Sequence, residues 1–167
     1  IRGMDQSQGK ALQLDAEHAA FIQGAVSVVV GSRNTQLVPD VVRGCGCRVS
    51  RDRRRVTVLV EAARSGSVLE NIAANGLIAV VFSQPSTHRT IQLKGSDARL
   101  ARVTGADRGI AQRHLLAWVQ DLQLIGYAAE FARAVRGEAP DLAAVTFTLA
   151  SAFLQTPGPA AGKRLAQ

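Results

Sequence analysis

The sequence predicts a mainly β protein of the α+β class, with an antiparallel sheet closing into a barrel and helices packed outside it. Three observations carry that reading. About six β-branched or alternating segments follow one another at hairpin-like spacing. In the first hundred residues only one pair of strand segments is separated by a helix of crossover size, which argues against a doubly wound parallel sheet. From Asp107 on, the chain changes to a helical period over a longer stretch than before.

Residues 15–23, D-A-E-H-A-A-F-I-Q, read as a short helix with Asp15 as cap and Gly24 as stop. V-S-V-V-V-G-S-R (26–33) is a strand. The second strand, 37–50, contains glycines that suggest bulges or close approach by another group. R-D-R-R (51–54) turns into a return strand, 55–61. S-G-S-V-L-E-N-I-A-A-N-G (65–76) is punctuated as a helix, capped by Ser65 or Ser67 and stopped at Asn75-Gly76. The apolar run 77–83 predicts a buried strand. From Thr87 the chain alternates, and with 97–104 it predicts one long strand bent at Gly95.

Ile110, His114, Leu115, Trp118 and Leu122 then share one face of a helix over 108–122 started by Asp107. A second helix, 127–137, is expected to turn Ala128, Phe131 and Val135 inward. A last strand, 142–153, places Val145, Phe147 and Leu149 on one face, and a Pro/Gly tail follows.

A length of 167 residues suits one domain, read here as 1–167, with a flexible N-terminus (1–13) and the tail at 154–167. The composition is that of an ordinary globular chain, and the formal net charge of +7 favours anionic partners. No apolar run approaches the roughly 18 residues of a membrane span. The polar start carries no secretory pattern, and two cysteines make no disulfide framework. A reducing cytoplasm is the expected setting.

Cys45 and Cys47, two apart in a strand, would share a face and could reach one metal. The histidines His18, His88 and His114 sit on separate elements without ligand spacing, so buried thiols are the plainer reading and no metal is expected. No nucleophile elbow, phosphate loop or dinucleotide fingerprint occurs, and no catalytic residue is singled out. His114 on an apolar helix face reads as a packed histidine. Arg53, Arg54 and Arg55 read as a solvated turn. Arg43, Arg48 and Arg89 lie within strands, where each needs a carboxylate such as Glu61 or Glu70, or else converges with others on a dianion. The helix start at Ser65–Ser67 would add backbone donors.

The segments V-S-V-V-V-G-S-R, V-V-R-G-C-G-C-R-V and S-G-S-V-L-E-N-I-A-A-N-G-L-I-A-V-V-F-S-Q-P-S-T-H-R-T-I-Q-L-K-G occur in an order that resembles the pyridoxamine-phosphate-oxidase-like FMN-binding split-barrel proteins. The resemblance covers most of residues 14 to 105. It implies a Greek-key split barrel that forms a homodimer, with FMN in a groove between subunits.

Onto the family's phosphate-binding positions fall Arg43 and Arg48, spaced like its basic residue and Lys, and Arg64, Ser65 and Ser67, where its Ser-Arg-Lys motif lacks the Lys here. The family's flavin-lining strand N-R-Q-V-R-V-E-G reads H-R-T-I-Q-L-K-G: Arg89 matches, Thr90 and Gln92 replace Gln and Arg, and Lys94 ends the same strand face. The oxidase's C-terminal substrate-binding Arg and His have no clear match, which points away from pyridoxamine phosphate as substrate.

The resemblance implies an FMN-dependent oxidoreductase acting on a small-molecule substrate. The alternatives are a non-catalytic split barrel that holds a flavin, haem or other anionic ligand, and a basic nucleic-acid binder. Charge alone supports the last, since no nucleic-acid motif accompanies it.

Overall fold

The computed structural model of the chain describes residues 12–137, 139 and 141–165. Its eight strands are β1 (Ser27–Arg33), β2 (Pro39–Val49), β3 (Arg55–Glu61), β4 (Ile78–Ser83), β5 (Thr90–Gly95), β6 (Arg99–Ala101), β7 (Leu142–Thr148) and β8 (Ser151–Leu154). The helices are α1 (Ala16–Ile22), α2 (Gly66–Asn75), α3 (Gly105–Leu124) and α4 (Ala129–Arg136).

The strands run in the order β6-β7-β3-β2-β1-β4-β5-β8, and every neighbouring pair is antiparallel. β7 and β8 follow each other in the chain almost without a break, yet they lie towards opposite ends of this order. The segment 142–154 therefore closes the barrel: its first half pairs with β3 and β6, its second half with β5.

Alternation sorts the strand side chains. Val28, Val30, Val56, Val58, Val80, Phe82, Ile91, Leu93, Val145 and Phe147 fill the interior. Ile22 of α1 and Val68 and Ile72 of α2 join that core. Burying such side chains contributes about 1.5–3 kcal/mol each. Gly76 ends α2 in the left-handed conformation, as its position after Asn75 predicts.

Several expectations change. The long strand over 87–104 is broken. Residues 84–89 form a turn, with His88 at φ 59°, and the strand starts only at Thr90. At Gly95 a Cβ would lie 2.6 Å from Phe147 Cδ2, so the chain passes there only without a side chain; it then turns and re-enters as β6. The last strand divides at Leu149–Ala150 for the closure just described.

Phe131 and Val135, expected to face inward on α4, are exposed, and the buried residue is Ala132. Ser65 occupies the cap position of α2, but its hydroxyl donates instead to the Glu61 carbonyl at 2.5 Å. At the N-terminus residues 1–11 lie outside the described residues, whereas Leu12 and Leu14 are buried in the core. The Pro/Gly tail folds back along β8, with Leu165 N–H donating to the Ala152 carbonyl and Gly162 N–H to that of Leu154.

Candidate functional site

The second strand organises the site. Between Gly44 and Gly46 its pairing with β3 slips by one residue, a bulge. The bulge puts Arg43 and Arg48, five residues apart, on the same outer face of the sheet. It also sends the two cysteines apart. Cys47 enters the barrel core, while Cys45 packs outside it with Leu59 and Ala144. The shared face expected of the two sulfurs therefore does not exist, and burial pushes both thiol pKa values up.

Helix α3 lies along this outer face. Asp107 in its first turn receives Arg48 Nε at 2.9 Å, His114 sits against Gly46, and Trp118 lies under the Arg43 guanidinium at 5.9 Å. The helix starts by a reciprocal cap in which Asp107 Oδ2 accepts from the Thr104 N–H at 2.7 Å. Burial works to raise the Asp107 pKa, but the Thr104 hydrogen bonds and Arg48 outweigh it, and the carboxyl is held below its usual range. At the other end the buried Asp121 accepts from Gln84 Nε2, Ser86 N and Ser86 Oγ, which fastens α3 to the β4–β5 turn.

His114 bonds the Val26 carbonyl through Nε2 at 2.7 Å. Burial, reinforced by Arg136, lowers its pKa to about 4, so it is neutral near pH 7. It is a packed histidine, as its apolar face suggested.

Arg43 and Arg64 do meet. They line one cavity of about 230 Å³ together with Arg136 and Glu61. Arg43 Nη1 donates to Ser27 Oγ at 3.1 Å, and Arg64 pairs with Glu61 at 3.1 Å. Arg136, from the last turn of α4, donates to the carbonyls of Cys45 and Ala111, while its buried Nε has no hydrogen-bond partner among the described residues. Burial lowers the Arg136 pKa from its ordinary value. Position at a helix C-terminus was the only sequence sign of Arg136; its return to β2 depends on how α3 and α4 pack.

The other predicted residues lie elsewhere. Arg48 is not among the residues lining this cavity; it is held at the first turn of α3, paired with Asp107 rather than with Glu61 or Glu70. Ser65 is buried and turned inward. Ser67 hydrogen-bonds the Asp40 carboxylate, so a carboxylate already stands at the start of α2 where an anion was expected. Arg89 pairs with Glu17 at 2.9 Å over the ring of Phe21 and ties the turn to α1.

Thr90, Gln92 and Lys94 share the outer face of β5. Thr90 Oγ1 shares a hydrogen bond with Ser83 Oγ at 2.8 Å, and Lys94 lies over Phe153 and lines a mostly apolar cavity of about 440 Å³ with Gly31, Val41 and Ala79. Gln92 connects back to Arg43. Arg43, Val29, Val81 and Gln92 stand opposite one another on four adjacent strands. Three strand spacings, about 14 Å, separate their backbones.

No family model and no curated protein matches this sequence. Solved structures do. HupZ of Group A Streptococcus superposes with a TM-score of 0.54 at 16% identity, covering 90% of this chain and 100% of that one. A Lactobacillus delbrueckii protein named as a candidate pyridoxamine 5′-phosphate oxidase gives 0.53 at 14% identity, over 84% and 93%. A Clostridium acetobutylicum protein related to general stress protein 26, of the pyridoxinephosphate oxidase family, gives 0.51 at 12% identity, over 84% and 87%. This chain has the pyridoxamine-phosphate-oxidase-like split-barrel fold. On that split barrel the Arg43–Arg64–Arg136 cavity stands at one end of the row Arg43, Val29, Val81 and Gln92, whose other end is the outer face of β5. Among the described residues, no helix is long and apolar enough to cross a membrane, and no cluster of metal-ligating side chains occurs.

Proposed function

We propose that the chain binds FMN on the outer face of its barrel and acts as a flavin-dependent oxidoreductase on a small-molecule substrate, as a cytoplasmic homodimer. The observation that carries this reading is the convergence of Arg43, Arg64 and Arg136 on one cavity at the end of an open sheet face. Guanidinium forks suit phosphate oxygens, and the buried Arg136 Nε, without a hydrogen-bond partner among the described residues, is a donor in want of an acceptor. Among the described residues lining the cavity only Glu61 opposes them, and Arg64 pairs with it.

Arg43 and Arg64 would hold the phosphate. Thr90 and Gln92 would offer hydrogen bonds to the polar edge of the ring, across the small apolar floor of Val29 and Val81. Bound FMN would supply hydride transfer to or from the substrate, while the chain sets position and excludes water. Dimerisation through the face of Val29, Gly31, Val41 and Ala79 would enclose the site, since Val41 is 64% exposed in the single chain.

A second reading, a non-catalytic binder of flavin, haem or another anionic ligand, draws support from two carboxylates. Asp107 occupies Arg48, and Asp40 occupies the start of α2, so fewer groups are left for a phosphate.

The test is reconstitution with FMN, removal of the excess, and a visible spectrum. The expected result is a retained flavin band that weakens at least tenfold in affinity in the Arg43→Gln/Arg64→Gln variant. A colourless wild-type protein would remove FMN. A retained flavin that no nicotinamide donor reduces in stopped flow would favour the second reading.

A further inference from the structure

We propose a second anion site, on the outer face of β2, β3 and β7, which takes the phosphate group of a small phosphorylated molecule. It shares no residue with the Arg43–Arg64–Arg136 cavity. Arg48, Thr57, Thr146 and Arg99 stand opposite one another on four adjacent strands, so two threonines lie side by side between two arginines. A cavity of about 350 Å³ opens above them, lined among others by Arg48, Ser50, Arg55, Thr57, Arg102 and Thr146.

Thr57 is 4% and Thr146 8% exposed, yet neither hydroxyl has a hydrogen-bond partner among the described residues. Valine has the same shape and the same preference for strands, so the sheet itself does not call for hydroxyls here. Neither hydroxyl is among the fully enclosed polar atoms that lack a partner, so both open onto the cavity and offer O–H donors to whatever fills it.

The cations above are available. The guanidinium groups of Arg55 and Arg102 make no ion pair or hydrogen bond among the described residues. Asp107 holds Arg48 by Nε alone, which fixes the fork and leaves its two terminal nitrogens to face a ligand. No carboxylate is among the cavity's lining residues. The acidic groups around the site are engaged: Asp107 by Arg48 and the Thr104 N–H, Asp52 by Ser50 Oγ and the Arg54 N–H with the charge of Arg55 beside it, and Asp97 by the Thr148 N–H with the charge of Arg99 beside it.

Hydroxyl donors on the floor and planar forks on the rim suit a tetrahedral dianion. A concave cavity suits one phosphoryl group at the end of a small molecule; a nucleic-acid backbone would need a track of cations.

The experiment is calorimetric titration of the full chain with inorganic phosphate, in an Arg43→Gln/Arg64→Gln background so that the other cavity does not contribute. The expected result is saturable binding at one site per chain, weakened at least tenfold by Thr57→Val/Thr146→Val and by Arg55→Gln/Arg102→Gln. Circular dichroism checks that each variant is folded, and the single exposed Arg55→Gln change provides a milder variant expected to lose several-fold. Absence of saturable binding, or equal affinity in all variants, would overturn the site. Tight binding of a DNA oligonucleotide that excess phosphate does not displace would overturn the small-molecule assignment. FMN binding is read separately, so either site can fail without the other.

Discussion

Gly46 shows how a single residue sets the site. Its φ is +130°, and a Cβ there would lie 3.2 Å from His114 Cβ, so both backbone conformation and the approach of α3 require glycine. Gly46→Ala is expected to destabilise the fold by about 1–3 kcal/mol, read by urea unfolding. His114 carries a second consequence. Its folded pKa, about 4, lies below the ordinary 6.5, so the folded state resists its protonation. Its contribution to stability is complete above pH 6.5 and is lost as pH falls from there towards 4, by up to about 3 kcal/mol. Unfolding free energies of wild type and His114→Gln, measured from pH 7.5 to 4, should converge at the acid end; parallel curves would assign the acid sensitivity to other groups.

At the scale of elements, α3 decides which predicted residues can act together. It holds Arg48 at its first turn through Asp107 and lies under Arg43 further along at Trp118, and it fastens the β4–β5 turn through Asp121. Asp121 is 3% exposed and accepts three hydrogen bonds. Asp121→Ala would leave those donors without a buried acceptor and is expected to cost about 2–5 kcal/mol. Hydrogen exchange should then speed up first in residues 84–89, before the barrel strands respond. The existence and apolar pattern of α3 were legible in the sequence, since His114, Trp118 and Leu122 are buried on one face as their spacing indicates. The inward face of α4 was not legible. Eight residues allow several placements of an apolar stripe, and here the stripe of Tyr127, Phe131 and Val135 faces outward, with Tyr127 and Phe131 stacked at 5.2 Å.

At the scale of the molecule, the outer face of β2, β1 and β4 around Val41, Gly31, Val29 and Ala79 is the surface on which the proposed dimer depends. Val41→Glu would place a carboxylate on that face, at an exposed position of β2 opposite Gly31, while touching nothing in the core. Light scattering should find dimers for the wild type and monomers for this variant. Equal masses would move the interface elsewhere, towards the exposed residues of α4.

The order of strands and helices up to the β4–β5 turn, most of their approximate ends, the bulge-prone glycines of β2 and the barrel's core positions were determined by the sequence itself, because alternation, helical period and chain punctuation are local properties; the breaks at Gly95 and Leu149–Ala150 and the inward face of α4 were not. The barrel class followed from the same signals, with the family resemblance adding its split form. What only the tertiary structure decided was company. Asp107 claims Arg48, Asp40 claims Ser67, and Glu17 claims Arg89; each pair joins residues far apart in the chain through charges that no period records. Arg43, Arg64 and Arg136 meet for the same reason in reverse: one β-bulge and one helix hairpin bring together cations that the sequence spaces apart.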